Sequence, residues 1–115
     1  GELIGPQIQG NKYHLTAYEI RWFNAYDIIQ QKYLDYPEFF GFLNTFNLRS
    51  VPIVMVGILK YSVDELVEMA KGKSKLADVH REGIVIRPLN EAIDVELGRL
   101  SFKVINIEFL LKYDE

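Results

Sequence analysis

Apolar residues along this chain recur with a period of two in some segments and with helical spacing in others. Residues 15–29 are rich in aromatic and β-branched side chains with partial alternation, which predicts a strand that is strongest over residues 21–28. The apolar run 51–59 predicts another short strand, and residues 82–89 and 100–106 predict two more. These strands, together with two helical segments, predict a mixed α and β fold.

The first helical pattern covers residues 36–48, where a proline near the start precedes apolar side chains at helical offsets. The four apolar residues of this face are Phe39, Phe42, Leu43 and Phe46. The second pattern covers residues 62–72, where Ser62 is a good N-cap and Glu65 completes a capping box. Gly72 is placed to end this second helix, and residues 112–115 are expected to be frayed.

Composition excludes several classes of protein. A chain of 115 residues is one domain or part of one. A net charge of −3 and a pI near 5.4 argue against a general polyanion binder. The absence of cysteine excludes disulfides and thiolate metal sites and fits a reducing, cytoplasmic compartment. No segment has the length and purity of a membrane span, and none predicts a signal peptide.

Several kinds of catalytic site are also absent from the sequence. His14 and His80 are far apart and share no ligand spacing, which favours surface or loop positions over a metal site. The chain contains neither a P-loop nor a nucleophile elbow.

Charged residues within or beside predicted strands remain as candidates. Glu82 precedes the apolar run 83–86, and Lys103 lies inside the predicted strand 100–106. A lysine in an apolar strand is costly unless its ammonium group reaches water or an anion. Strand alternation places Lys103 on one face with Ser101 and Ile105. The alternative is an edge strand whose lysine blocks aggregation.

The first thirteen residues, GELIGPQIQGNKY, combine turn-forming residues with one acid, Glu2. One interpretation is a surface loop. The other places Glu2 at the mouth of a ligand cleft, with glycines that allow close approach of the backbone. Gln7, Gln9 and Asn11 could satisfy backbone groups around such a turn.

Four strings in order, GELIGPQIQGN, AYDI, REGIVIRP and LSFKVIN, carry a family resemblance. The chain resembles the ATP-dependent RNA ligases, in the RNA ligase 2-like group of the covalent nucleotidyltransferase superfamily, with the strings as motifs III, IIIa, IV and V. The resemblance runs from residue 1 to residue 112. It implies an α+β fold, specifically a partial nucleotidyltransferase domain of ATP-grasp-like layout with an antiparallel-rich sheet and flanking helices.

The resemblance also implies roles for individual residues. Glu2 would accept a hydrogen bond from the ribose hydroxyl of the nucleotide. Tyr26 would stack on adenine, although a core aromatic on a strand is the alternative. Glu82 would bind the catalytic divalent cation, Mg²⁺, near the α-phosphate, and Lys103 would contact that phosphate. Arg87 would meet a phosphate or be solvated; its odd offset from Glu82 predicts the opposite face of the strand.

Two departures from the family pattern matter. The nucleophilic lysine of a KxDG motif is missing, so residues 1–115 correspond to the C-terminal half of a catalytic domain. Many relatives carry KxK in motif V, and here the second basic position is Ile105. The cleft has thus lost one cation, for which Arg87 or a lysine of residues 71–75 could compensate.

The implied activity is ATP-dependent joining of RNA ends. The full enzyme would transfer AMP from ATP to its lysine and then to an RNA 5′-phosphate, before joining that end to a 3′-hydroxyl. This chain alone is expected to be inactive and either to self-associate or to bind the missing half. A DNA ligase or capping guanylyltransferase is an alternative, against which the GPxIQxN string argues. A non-catalytic nucleic-acid-binding or scaffold fragment is the alternative of another class.

Overall fold

Short antiparallel strand pairs and three helices make up residues 1–113, which a computed structural model describes. The elements in chain order are β1 (Glu2–Ile4), β2 (Glu19–Arg21), β3 (Tyr26–Asp27), β4 (Lys32–Tyr33), α1 (Tyr36–Thr45), α2 (Val63–Ala70), β5 (Gly83–Ile86), β6 (Ile93–Asp94), β7 (Gly98–Arg99), β8 (Phe102–Ile105) and α3 (Ile107–Tyr113). The predicted α+β class is confirmed.

The named strands form four two-stranded antiparallel pairs: β1 with β2, β3 with β4, β5 with β8, and β6 with β7. The register of the β5–β8 pair runs from Gly83 opposite Ile105 to Ile86 opposite Phe102. Helix α2 contacts both strands of this pair. The two strands predicted near residues 82–89 and 100–106 are therefore confirmed in shorter form.

Helix α1 begins at Tyr36 as predicted but ends at Thr45. Phe39 and Leu43 are 7% and 3% exposed, whereas Phe42 and Phe46 are 44% and 60% exposed. Half of the predicted apolar face is therefore buried. Only the i, i+4 pair faces the protein, and the Phe42 and Phe46 rings pack on each other with centroids 4.8 Å apart.

Helix α2 confirms its predicted termini. The Ser62 hydroxyl accepts a hydrogen bond from Glu65 N at 3.2 Å, the N-cap arrangement that the sequence indicates. Gly72 follows the C-cap with a φ of +114°, which favours glycine. Arg81 adds a contact that the sequence analysis missed, because its guanidinium donates to the terminal carbonyls of Met69, Ala70 and Lys71.

The strand predicted over residues 15–29 is wrong in extent. It is divided into β2 and β3, and residues 28–31 turn into β4. Asp27 closes this turn, since its carboxylate accepts from Ile29 N and Gln30 N at 3.0 Å. Ile28 and Ile29, although β-branched, are 80% and 95% exposed.

The strand predicted over residues 51–59 is also wrong. In the part of the chain that the structure describes, strand-like pairing is limited to the start of the segment, where Ser50 forms an isolated bridge to Trp22 and Val51 N donates to Trp22 O at 2.8 Å. Pro52 then removes a backbone donor. The apolar side chains of residues 53–56 and 58–59 are 38% to 82% exposed. β-propensity alone does not make a strand where no partner strand lies alongside.

The buried apolar residues are Ile4, Phe39, Leu43, Ala70, Val79 and Phe109. No helix within residues 1–113 is long and apolar enough to cross a bilayer. Lys112 and Tyr113 end helix α3, and the fraying predicted for residues 112–115 stays a prediction. Residues 114 and 115 lie outside the described residues.

Candidate functional site

Three consecutive reverse turns follow β1 and form one wall of a cleft. Backbone hydrogen bonds join Ile8 N to Gly5 O, Asn11 N to Ile8 O, and His14 N to Asn11 O, at 3.1, 2.8 and 3.0 Å. Positive φ angles recur at Gly5, Gln7, Gln9, Gly10, Asn11 and His14. Non-glycine residues adopt this conformation at a cost of about 1 kcal/mol each, and such strain is concentrated at binding sites.

The side chain of Asn11 stabilises the last of these turns. Its side-chain Nδ2 donates to Leu15 O at 2.9 Å, and its Oδ1 accepts from Leu15 N at 3.0 Å. The prediction that a polar side chain satisfies the backbone of this loop is confirmed at Asn11. The loop therefore has a defined shape beside Glu2.

Glu2 and Glu82, eighty positions apart in sequence, line the same cleft. Glu2 lies on β1, and Glu82 lies immediately before β5. Ile4, Ile8, Asn11, Lys12 and Tyr13 are among the other residues of the lining. The cavity volume is about 20 Å³, room for about one water molecule. The described lining therefore encloses no space for a ligand much larger than water.

Lys103 joins this site through an ion pair. Its Nζ lies 3.2 Å from Glu82 Oε1, and both side chains are 53% exposed. Lys103 lies opposite Val85 in the β5–β8 register, so strict alternation would place Glu82 on the other face. Glu82 precedes the first residue of β5 and is free of that alternation. An exposed pair of this kind contributes only about 0–1 kcal/mol, so a ligand can separate it at little cost.

Gly83 sets the distance between the two strands at this point. A Cβ atom at residue 83 would collide with the carbonyl oxygen of Val104 in β8. The glycine therefore allows the close backbone approach that places Lys103 beside Glu82.

Asn106 fixes the backbone that carries Glu82. Its side chain is fully buried, and its Nδ2 donates to Arg81 O while its N donates to Glu82 O, both at 2.8 Å. Its Oδ1 accepts from Glu108 N at 3.0 Å and so caps α3. The sequence analysis included Asn106 only as the last residue of the predicted strand 100–106 and missed this role; an asparagine at a strand-to-helix junction is the signal that could have found it.

Tyr26 lies on β3, is 50% exposed, and is not in the lining of the cleft. Its ring packs edge-on against Tyr33, with centroids 5.0 Å apart. The Arg99 guanidinium lies 3.6 Å from the centre of the Tyr33 ring and makes a two-bond contact with Glu91 at 2.6 and 3.0 Å. The hydrogen bond to Glu91 raises the pKa of Arg99 above its usual value. Arg99 thus contacts the Tyr33 ring, against which Tyr26 packs. The stacking of Tyr26 on adenine stays a prediction.

Arg87 has protein partners away from the cleft lining. Its Nε donates to Ser101 Oγ at 3.0 Å and its Nη1 to Phe23 O at 2.9 Å. Burial, and then the neighbouring Arg99, lower the pKa of Arg87, although an arginine stays charged at neutral pH. Its contact with a phosphate stays a prediction.

The carboxylate oxygens at the cleft suit a cation that keeps most of its water ligands. Among residues 1–113, no three or more histidine, aspartate or glutamate side chains gather where they could hold a metal ion. His14 is exposed, and His80 Nδ1 lies 3.5 Å from Glu108. Mg²⁺ is commonly held by one or two carboxylates together with waters and substrate phosphates. The half-exposed carboxylate of Glu82 suits that mode.

A protein-family model described as RNA ligase matches residues 1–105. The chain belongs to the RNA ligase family. All four strings that carry the resemblance lie within the matched residues or, for LSFKVIN, end one residue beyond them. The predicted family is therefore confirmed.

Solved structures of Naegleria gruberi RNA ligase have the same fold. The structure with PPi gives a TM-score of 0.84 at 32% identity, covering 98% of this chain and 33% of that chain. A variant with ATP and Mn gives 0.85 at 32% identity over 98% and 33%. A variant with AMP and Mn gives 0.84 at 32% identity over 97% and 33%. A comparison with curated protein sequences gives no match.

The 115 residues thus span about a third of the length of the Naegleria gruberi enzyme. The structure brings Glu2, Glu82 and Lys103 of the predicted site together, and it places Tyr26 and Arg87 on separate supports. The individual roles of these five residues stay predictions.

Proposed function

We propose that this RNA ligase region forms part of the nucleotide site of an ATP-dependent enzyme that seals RNA 5′-phosphate and 3′-hydroxyl ends inside the cell. The observation that carries the proposal is the convergence of Glu2, Glu82 and Lys103 at one cleft. Glu2 and Glu82, which are eighty positions apart in the sequence, both line it, and Lys103 lies 3.2 Å from Glu82. Structures of the Naegleria gruberi ligase with ATP, AMP and Mn support the choice of nucleotide and of a divalent cation.

The Glu82–Lys103 pair provides the two charges that such a site needs. Glu82 would hold the divalent cation, which supplies charge neutralisation at the phosphates. Lys103 would turn from Glu82 to the α-phosphate, where a positioned cation stabilises developing negative charge. Because the exposed pair contributes only about 0–1 kcal/mol, exchange of partners is inexpensive. Glu2 would orient the ribose, and Tyr26 would stack on the base.

The lysine that becomes adenylylated is proposed to lie outside these 115 residues, because no KxDG string is present in them. The intact enzyme would move AMP from ATP to that lysine with release of pyrophosphate, and then to the RNA 5′-phosphate. Attack by the 3′-hydroxyl would join the ends and release AMP.

Three readings compete with this one, and one experiment separates them. The full-length polypeptide that contains these residues is incubated with Mg²⁺ and labelled ATP or GTP, and its denatured mass is measured. It is then supplied with nicked RNA or DNA duplexes that carry a 5′-phosphate. We expect a covalent AMP adduct from ATP and sealing of RNA ends.

Each competing reading gives a different result. A GMP adduct would indicate a capping guanylyltransferase, and preference for DNA ends would indicate a DNA ligase. Absence of any adduct, in protein shown to be folded by circular dichroism, would indicate a non-catalytic binding or scaffold protein and would overturn the proposal.

A further inference from the structure

Residues 53–59, which we call the unpaired segment, have the composition of a strand but no strand beside them. Its apolar side chains are Ile53, Val54, Met55, Val56, Ile58 and Leu59. Within residues 1–113, no backbone N–H or C=O group of this segment bonds to another backbone group. A row of open main-chain groups of this kind is a template for a further strand.

The unpaired segment also has apolar side chains exposed on both of its faces. In an extended chain, Ile53 and Met55 lie on one face and Val54 and Val56 on the other. All four are 38% to 56% exposed. A continuous apolar run, unlike an alternating one, is typical of a strand that is covered on both faces. The segment therefore has room for a neighbouring strand and for apolar packing on each face.

The fold holds the unpaired segment at both ends. At its start, Val51 N donates to Trp22 O at 2.8 Å, and Lys75 Nζ donates to Ile53 O. Beyond its end, Ser62 caps helix α2. The open main-chain groups are therefore presented at a defined place in the fold.

The first residue of the chain lies close to the start of the unpaired segment. A Cβ atom on Gly1 would lie 2.8 Å from the Trp22 ring, and Trp22 is the residue that pairs with Ser50 and Val51. These residues cover 33% of the Naegleria gruberi ligase chain, which is therefore about three times as long. A segment that precedes Gly1 in the full-length polypeptide would pass close to residues 53–59, at the high effective concentration of an intramolecular contact.

We propose that residues 53–59 form a strand in the full-length protein, paired with a segment of the same polypeptide that precedes Gly1. The main-chain groups form the ladder, and the apolar side chains pack against the same part of the chain. This inference rests on the proposed function in one respect, that the enzyme extends beyond these residues. The unpaired segment then joins the part of the enzyme that carries the adenylylated lysine to the part that carries Glu82.

Amide hydrogen exchange of the full-length protein tests the pairing. The amides of residues 53–59 that face the partner strand should exchange on the order of 100-fold more slowly than those of an unstructured peptide. This protection should be the same over about a hundredfold range of protein concentration, because the contact is intramolecular.

Photochemical cross-linking identifies the partner. Met55 lies in the unpaired segment and is 48% exposed. The full-length protein is prepared with a photoreactive methionine analogue in place of methionine, irradiated and digested, and the cross-linked peptides are identified by mass spectrometry. We expect residue 55 to be joined to a residue that precedes Gly1.

Two lysine substitutions compare the unpaired segment with another exposed apolar position. Val56→Lys places a charge where the partner segment packs, so the protection of residues 53–59 should fall at least about tenfold. Ile29→Lys makes a similar change at a residue that is 95% exposed between β3 and β4. It should leave that protection within about twofold. If Val56→Lys proves unfolded by circular dichroism, exchange and cross-linking of the protein without this substitution decide the question.

Three results would overturn the inference. The first is exchange of residues 53–59 at the rate of an unstructured peptide. The second is protection that rises with protein concentration, which would indicate a second copy of the chain as the partner. The third is cross-linking of residue 55 only to residues from Gly1 onwards.

The AMP-adduct assay separates this inference from the proposed function. An unprotected segment in a protein that forms the adduct would overturn this inference alone. A protected segment that cross-links to residues before Gly1, in a protein that forms no adduct, would overturn the proposed function and leave the pairing established.

Discussion

Replacing Asn106 tests how the fold holds the proposed metal ligand in place. Asn106→Ala removes the side-chain cap of α3 at Glu108 N and the donor to Arg81 O. Loss of an N-cap costs about 1 kcal/mol, and loss of a partner for a part-buried carbonyl costs about 1 kcal/mol or more. We therefore expect the free energy of unfolding to fall by about 2–3 kcal/mol, measured by urea denaturation of the full-length protein.

Asn106→Ser separates the two contributions. Serine is a good N-cap, so this variant should keep the cap and lose the donor to Arg81 O. It should therefore be destabilised by about half as much as Asn106→Ala. Both variants should also need more Mg²⁺ for half-maximal adenylylation, because the side-chain bond to Arg81 O, next to Glu82, is lost.

The control is Asp94→Ala, which removes two comparable side-chain-to-backbone bonds, at Glu96 N and Leu97 N, in an exposed turn between β6 and β7. It should leave the Mg²⁺ requirement unchanged. The reasoning is refuted if Asn106→Ala loses less than about 0.5 kcal/mol, or if Asp94→Ala shifts the Mg²⁺ requirement equally.

Two other predictions concern packing around the site. Gly83→Ala should destabilise the protein by about 1–3 kcal/mol in urea denaturation, because its Cβ would collide with Val104 O. Gly41→Ala, with open space around its Cβ, should be neutral or stabilising, and equal effects of the two variants would contradict the steric argument. Arg99→Met removes the cation beneath the tyrosine that supports Tyr26, so AMP affinity should fall about two- to fivefold; wild-type affinity by calorimetry would show that Tyr26 needs no such support.

The elements that the sequence predicted well are those whose signals are local. Helix α2 is specified by Ser62 at its start and Gly72 after its end, and the structure shows both in those roles. The pairing of β5 with β8 follows two apolar runs that are each a strand. In these cases the local propensity and the tertiary structure favour the same conformation.

The failures have two physical causes, the lack of a partner strand and a local turn. Residues 51–59 have strand composition, but in the described part of the chain no strand runs beside them after Ser50. The strand expected over 15–29 is divided into β2 and β3, and β3 ends at the turn in which the Asp27 carboxylate accepts from two backbone amides. Register and partner choice are tertiary properties that a propensity pattern does not encode.

The residues of the candidate site were also predicted only in part. Motif resemblance identified Glu2, Glu82 and Lys103, which the fold brings together at one cleft. Asn106 was missed, because its role depends on a contact with Arg81 across the fold. Supporting residues of this kind become visible only when their partners are placed.

The most direct test of the central claim is single-turnover adenylylation by variants of the Glu82–Lys103 pair in the full-length enzyme. Glu82→Gln and Lys103→Met should each stay folded by circular dichroism and lose about 3 kcal/mol of transition-state stabilisation, on the order of 100-fold in rate. The double variant should be at least as slow as the slower single variant. Two matched controls should react at the wild-type rate: Glu68→Gln on α2, which removes the carboxylate of another ion pair, with Lys71 at 2.9 Å, and Lys60→Met at an exposed lysine. Folded Glu82 and Lys103 variants that adenylylate at the wild-type rate would contradict the account and leave the pair as a surface ion pair on an edge strand.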